Sequence, residues 1–298
     1  TGFVRHLNLS KNFSNIEYIP VGDIGLKTNL KRNLIGTDCI IHCAGRAHVM
    51  NETKIDLFKT YQSANINGTE QLANQAVEAG VKRFIFLSSI KVNGEGTEDD
   101  YIDTSVNNQK KNIFSQNDVP YPEDYYSKSK FEAEKKLWEI SVKTGLEIVI
   151  IRLPLVYGNG AKGNLKQLMK LINYGIPLPF GLINNRRSLI GIDNLIDLLN
   201  CCIDHPNASG KTFLVSDDDD LSTPNLIKLI ASSMRQKARL FPFPITLLKL
   251  LSFLFGKQKE FSRLVGSLRI DSSYTKKILN WKPPLSTKEG IKKMVQGR

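Results

Sequence analysis

The sequence predicts a doubly wound α/β fold, a Rossmann-like parallel sheet with helices on both faces, and three observations carry that prediction. Short apolar runs without polar alternation fill the first half, as strands covered on both faces do. Longer helical stretches lie between them, each ended by a glycine. Strand and helix then succeed one another at the spacing of crossover connections.

Residues 16–24 (IEYIPVGDI), 37–45 (TDCIIHCAG), 83–90 (RFIFLSSI) and 146–158 (LEIVIIRLPLVYG) read as buried strands. Residues 61–80 read as a helix closed by Gly80, and 126–145 as one closed by Gly145. The second half is less regular. A helix and loop are expected over 162–179, an extended then helical stretch over 186–205, a strand over 210–217, and a helix opened by Ser-Thr-Pro over 222–236. The run Asp217–Asp220 reads as a solvated turn, since a row of neighbouring carboxylates would splay rather than converge on a cation.

The chain has 298 residues, 41% hydrophobic and 23% charged, a globular composition with room for one large or two smaller domains. Its net charge of +12 suits nucleic acid, a membrane surface or an anionic small substrate. The basic residues are scattered, with no zinc-finger spacing and no aromatic-plus-arginine platform, which argues against nucleic acid. Cys39, Cys43, Cys201 and Cys202 form no CxxC pair and follow no signal peptide, so they read as reduced thiols of a cytoplasmic protein. His6, His42, His48 and His205 have no metal-ligand spacing, so no metal site is expected. The most apolar window, 241–256, contains two prolines and Lys249 and is too short to cross a bilayer. It reads as a helix with one buried face, and its basic flanks leave a peripheral membrane contact open.

The chemistry centres on 123–136 (EDYYSKSKFEAEKK). Tyr126 and Lys130 lie four apart, one turn along a shared helical face, whereas Tyr125 has Ser129 at that spacing. A phenol has a pKa of about 10, and a neighbouring ammonium favours the phenolate, turning it into a usable acid or base. Ser88 and Ser89 end a buried strand, and ligands of such sheets sit beyond the strands' carboxyl ends. The small-residue turn of HCAGRAH ends the strand before, and Asn65 lies in the intervening helix.

Taken in order, VGDI, IIHCAGRAH, NINGTEQL, FIFLSSIKVNG, YYSKSKFEAE, IRLPLVYGNG, NRRSLIGIDNL and SSYTKKILNW resemble the extended short-chain dehydrogenase/reductases, the nucleotide-sugar epimerase/dehydratase family. The resemblance runs from about residue 16 to 290. It implies that Tyr126 exchanges a proton with the sugar C4 oxygen, that Lys130 binds the nicotinamide ribose of NAD or NADP and lowers the tyrosine pKa, and that Ser89 hydrogen-bonds the same oxygen. It further implies Asp23 and Ile24 at the adenine, Ala44 and Gly45 at the cofactor through their backbone, Asn65 at the ribose, and Ser88 and Pro154 in the cofactor site. Asn164 and Arg187 are implied as contacts of a UDP-sugar, with Arg187 on the diphosphate. Arg263 and Arg269 are alternatives for a second phosphate contact. The implied domains are 1–158 with 186–209 for cofactor, and 159–185 with 210–298 for the sugar nucleotide. A homodimer is left open.

Two departures from the family pattern stand out. Its glycine-rich TGxxGxxG turn is lacking: TGFV (1–4) is similar only to the motif's tail, with Arg5 at its last glycine, so the first βαβ unit reads as missing. Family dehydratases carry Asp-Glu after the catalytic hydroxyl, where this chain has Ile90 and Lys91, and that argues against dehydration. Chemistry at C4 of a UDP-hexose remains, with a 4-keto reductase of surface polysaccharide biosynthesis as the expectation, a UDP-glucose or UDP-GlcNAc 4-epimerase as the alternative, and an inactive sugar-nucleotide-binding remnant as the third reading.

Overall fold

The computed structural model of the chain describes residues 1–6, 15–26, 28–47, 54–97, 112–161 and 163–297; His48 and Lys162 lie outside them. The elements are β1 (Gly2–Val4), β2 (Tyr18–Pro20), α1 (Lys31–Leu34), β3 (Cys39–His42), α2 (Lys54–Tyr61), a π-helical segment (Gln62–Asn67), α3 (Gly68–Glu78), β4 (Arg83–Ser89), α4 (Tyr125–Thr144) and β5 (Glu147–Leu153). There follow β6 (Leu155–Tyr157), α5 (Asn164–Asn173), β7 (Leu189–Gly191), α6 (Ile192–Asp204), β8 (Lys211–Leu214), α7 (Thr223–Ser233), α8 (Ile245–Leu254), α9 (Gln258–Val265), α10 (Ser273–Leu279) and α11 (Thr287–Gln296).

The main sheet has the order β3-β4-β5-β8, and two short sheets are formed by β1-β2 and β6-β7. β3 and β4 run parallel with Cys39 opposite Arg83 and His42 opposite Phe86. β1 and β2 are also parallel, Gly2 opposite Tyr18. TGFV is therefore extended strand and not the tail of a phosphate-binding turn.

By packing, the chain forms two compact units. One comprises Thr1–Val92, Pro120–Ile151 and Ala208–Thr212, the other Asn93–Val119, Arg152–Asn207 and Phe213–Arg298. The first unit's core explains its unalternating strands. Phe84, Phe86, Ile148 and Ile150 pack with Leu72, Ala73 and Ala76 of α3 and Ala133, Leu137 and Ile140 of α4. Ile85, Val149 and Ile151, which point to the opposite face, are fully buried as well. Covered on both sides, these strands have no polar face to show in sequence. α4 ends where Gly145 takes a left-handed conformation, φ 77°, that a side chain would strain. The second unit packs Leu165, Met169 and Ile172 of α5, Ile227 and Ile230 of α7, and Ile291 and Met294 of α11 around Tyr157 and Leu189.

Two expectations need correction here. The carboxylates of 217–220 are a solvated turn only in part: Asp218 and Asp219 are exposed, whereas Asp217 is buried. Asp217 accepts from Tyr157 Oη (2.6 Å), Asn194 Nδ2 (2.7 Å) and the Gly191 amide, Asp218 pairs with Lys276 (2.9 Å), and Asp220 with Arg269 (2.9 Å) and Ser188 (2.5 Å). Asp217, Asp218 and Asp220 each face different elements, so these three tie neighbouring chain segments together. Nor does the apolar window bury one face: no residue of α8 is buried.

Candidate active site

The site in the first unit is built on the start of α4. Asp124 caps that helix, its carboxylate accepting from the Ser127 amide (2.7 Å) while Ser127 Oγ accepts from the Asp124 amide (3.2 Å). Lys91, just after β4, pairs with the same carboxylate at 2.9 Å. Burial would raise the Asp124 pKa, but the Ser127 bonds and Lys91 outweigh it and hold the carboxyl at about 2. The position where family dehydratases carry a catalytic acid thus serves as an anchor for the helix start.

Pinned in this way, the first two turns of α4 face the carboxyl end of β4. Tyr126 stands next to Ser89, whose hydroxyl favours the phenolate, and Lys130 Nζ donates to the Leu87 carbonyl at 2.8 Å. The two side chains therefore share a face, as their spacing predicts. Lys130 Nζ also lies 4.4 Å from the centroid of the Phe86 ring. Burial pushes the lysine down to about 8, against the raising influence of Glu134 and Cys43.

The tyrosine behaves differently from the expectation. Burial pushes Tyr126 up to about 12, opposed by the Ser89 hydroxyl and assisted by Asp124 and Tyr61. The phenol is held in its protonated, donating form, and the ammonium is turned to the Leu87 carbonyl rather than to the phenol.

Asn65 is placed by the π-helical segment, an extra-wide turn between α2 and α3 of the kind that recurs at functional sites. Its amide nitrogen donates to the Arg46 carbonyl (3.0 Å) and Ser129 Oγ (2.9 Å), and its oxygen accepts from the Arg46 amide (2.8 Å). Ser129 Oγ in turn donates to the Tyr126 carbonyl (2.7 Å). One buried side chain thus stitches the loop after β3 to the helix carrying Tyr126. In that loop a Cβ on Gly45 would lie 3.2 Å from both Lys130 Nζ and Asn65 Oδ1. Glycine leaves the backbone open there without crowding either side chain, as a close-approaching cofactor requires. Ala44 beside it is exposed.

Asp23 and Ile24 line a cleft of about 710 Å³ together with Ile19, Val21, Leu30 and Ser63. Asp23 pairs with Arg5 and lies 3.8 Å from Arg46. Ser88 is turned away from Tyr126, its hydroxyl donating to buried Glu134 at 2.5 Å, because successive strand residues face opposite sides. Glu134 and Ser129 were not singled out from sequence, although Glu134 stands four residues beyond Lys130, the spacing that first marked the lysine.

In the second unit, Pro154 is buried between β5 and β6, and Asn164 is exposed at the first position of α5. Arg187 donates to the carbonyls of Arg263 (3.1 Å) and Gly266 (2.8 Å). Its pKa is lowered by burial and by the neighbouring Arg263 cation, with Glu95 opposing. Arg187 is thus anchored on main-chain carbonyls within the influence of the Arg263 charge, and two like cations there suit an anion. Arg269 differs, being paired with Asp220 at 2.9 Å. Of the two alternatives, Arg263 stands with Arg187.

The model of the NAD dependent epimerase/dehydratase family matches residues 4–216. A UDP-glucose 4-epimerase of Vibrio cholerae is 45% identical over 277 residues, 93% of this chain and 81% of the relative. An N-acetyl-alpha-D-glucosaminyl-diphospho-ditrans,octacis-undecaprenol 4-epimerase of Escherichia coli O157:H7 is 26% identical, covering 88% of this chain and 76% of its own. Among solved structures, the UDP-glucose 4-epimerase of Thermotoga maritima with UDP-glucose superposes with a TM-score of 0.74 at 18% identity, over 97% of this chain and 86% of that one. A UDP-glucuronic acid 4-epimerase from Bacillus cereus in complex with NAD gives 0.73 at 21% identity, over 96% and 79%.

Proposed function

The chain belongs to the NAD-dependent epimerase/dehydratase family, and from that premise we propose that it acts at C4 of a UDP-hexose as a 4-epimerase. The observation that carries the proposal is the placing of Ser89 and Tyr126 next to buried Lys130, a proton-handling set at the carboxyl end of a central strand. The 45% identity to a UDP-glucose 4-epimerase favours epimerisation over the 4-keto reduction that sequence motifs alone suggested.

The residues fit a dinucleotide. Gly45 opens the backbone beside Lys130, Asp23 and Ile24 border a cleft, and the Lys130 ammonium has three donors with one given to Leu87. NAD, when bound, supplies acceptance and return of the C4 hydride. Lys130 is the group for the ribose, with Ala44 and Gly45 presenting backbone, while Asn65 is committed to Arg46 and Ser129 and holds the loop in place.

The chain's own part is the proton. Tyr126 exchanges one proton with the C4 oxygen: as the phenolate it takes the hydroxyl proton when C4 is oxidised, and as the phenol it returns that proton when the ketone is reduced. Ser89 bonds the same oxygen and fixes its place. Arg187 and Arg263, in the second unit, are the cations suited to the diphosphate. Ile90 and Lys91 offer no acid–base pair for dehydration, and Lys91 is committed to Asp124.

The test is incubation of the chain with UDP-glucose and NAD, following UDP-galactose by chromatography and NADH by absorbance. Epimerisation gives the second sugar without net NADH. Net consumption of added NADH with a 4-keto sugar, and no interconversion of UDP-glucose, would instead establish the reductase.

A further inference from the structure

We propose that the exposed apolar face of α8 docks on the surface of an anionic lipid bilayer. Seven of its ten residues are apolar, and none is buried. Leu247, Leu250, Leu251, Phe253 and Leu254 are 46%, 53%, 41%, 66% and 67% exposed, and Phe255 beyond them 72%. Thr246, Lys249 and Ser252 recur every third residue and form one narrow polar stripe, so most of the helix circumference is apolar. A helix of that composition is ordinarily enclosed by protein. Here Leu and Phe side chains form a contiguous exposed surface, which marks a binding face.

Charge selects the occupant. Between residues 235 and 263 the chain carries Arg235, Lys237, Arg239, Lys249, Lys257, Lys259 and Arg263 against the single carboxylate of Glu260. Of these, Lys249 lies within the apolar helix, and Lys257 and Lys259 follow it immediately, all three exposed. A second copy meeting this face through a two-fold axis would set the lysines against each other. Anionic headgroups would neutralise them, while the boundary of the acyl layer takes the leucines and phenylalanines. Among the described residues no helix is long and apolar enough to cross a membrane, so the contact is one of lying on the surface.

The experiment is co-sedimentation of the full chain with phosphatidylcholine vesicles, with and without phosphatidylglycerol. Binding should be roughly tenfold tighter with the anionic lipid and should weaken with salt. Leu250→Asp with Phe253→Asp should abolish it, and Lys249→Glu with Lys257→Glu should remove its preference for anionic lipid. Both pairs are exposed, so circular dichroism and UDP-hexose turnover should be unchanged. The proposal falls if the native chain ignores anionic vesicles, or if binding survives the aspartates. It falls equally if light scattering shows an oligomer that the aspartates dissociate, which would give the face to a second copy.

Discussion

Replacing Lys130 by methionine should make the folded protein's stability less dependent on alkaline pH, by an amount the site fixes. Burial depresses this lysine from 10.5 to about 8. At about 1.4 kcal/mol per pH unit, holding the charged form inside costs about 3 kcal/mol. Below about pH 8 the folded and unfolded chains both carry the proton, and the cost is fully present. Between about 8 and 10.5 the unfolded chain binds more protons than the folded one, so stability attributable to this group rises with pH. Methionine has a similar length and does not titrate. The difference in unfolding free energy, native minus Lys130→Met, should therefore rise by about 3 kcal/mol from pH 7 to the top of that window. Paired urea titrations at steps across the range measure it; the pairing cancels the groups that Lys130 does not influence, and Cys43, which it does, is changed to serine in both proteins. A difference that stays flat would show that the lysine is solvated in the folded chain, and the account of a buried ammonium turned to Leu87 would fail with it.

Tyr126→Phe should lower kcat by about a hundredfold to ten-thousandfold, the usual contribution of a positioned proton donor, with UDP-hexose affinity by calorimetry retained. Arg187→Ala or Arg263→Ala should raise the UDP-hexose KM by about tenfold or more with a smaller change in kcat, each removing a contact proposed for the diphosphate, whereas Arg269→Ala should spare KM and reduce Tm because it leaves Asp220 with Ser188 alone. Asn65→Ala should destabilise the fold by about 1–3 kcal/mol in urea, since it removes the bonds that Asn65 makes to the Arg46 backbone and to the Ser129 hydroxyl. Asp124→Ala should cost about 1 kcal/mol for the lost helix cap, modest because the carboxylate is partly in water. That contribution is present above the ordinary Asp pKa of 3.8 and is lost as pH falls through about 2, so native and variant stabilities should converge in strong acid.

The parts of this fold legible in sequence are those where one requirement dominates. Strands enclosed by helices need apolar residues on both faces, and β4 and β5 show them. Helix ends need a residue with positive φ, and Gly145 supplies it. Tyr126 and Lys130 were legible because an i, i+4 spacing fixes a shared face whatever surrounds it. What escaped depends on partners far apart in sequence. Nothing in the run of four aspartates foretells Tyr157, Lys276 and Arg269, which lie 49 to 60 residues away. The choice between Arg263 and Arg269 turned on whether a carboxylate from elsewhere reached one of them. The apolar run of α8 misled for the opposite reason: composition reports that a surface wants covering, and says nothing about what covers it.

The tyrosine and lysine values together show how the site stores its reactivity. Each group is held in an environment that opposes its charged form, the phenol near 12 and the ammonium near 8. Neither value results from the pair acting on each other, because burial is the first cause in both. Burial here follows from architecture, since Asp124 pins the helix start, Asn65 draws the loop after β3 against it, and β4 ends underneath. The sequence spacing thus puts two reactive groups on one face, but the surrounding elements decide how hard each is to ionise. A phenol that resists ionisation is a reluctant base until a cation acts on it, and the cation within one turn is a lysine whose own charge is costly. Groups arriving beside Gly45 would act on both at once, which ties the order of binding and proton transfer to a single small space.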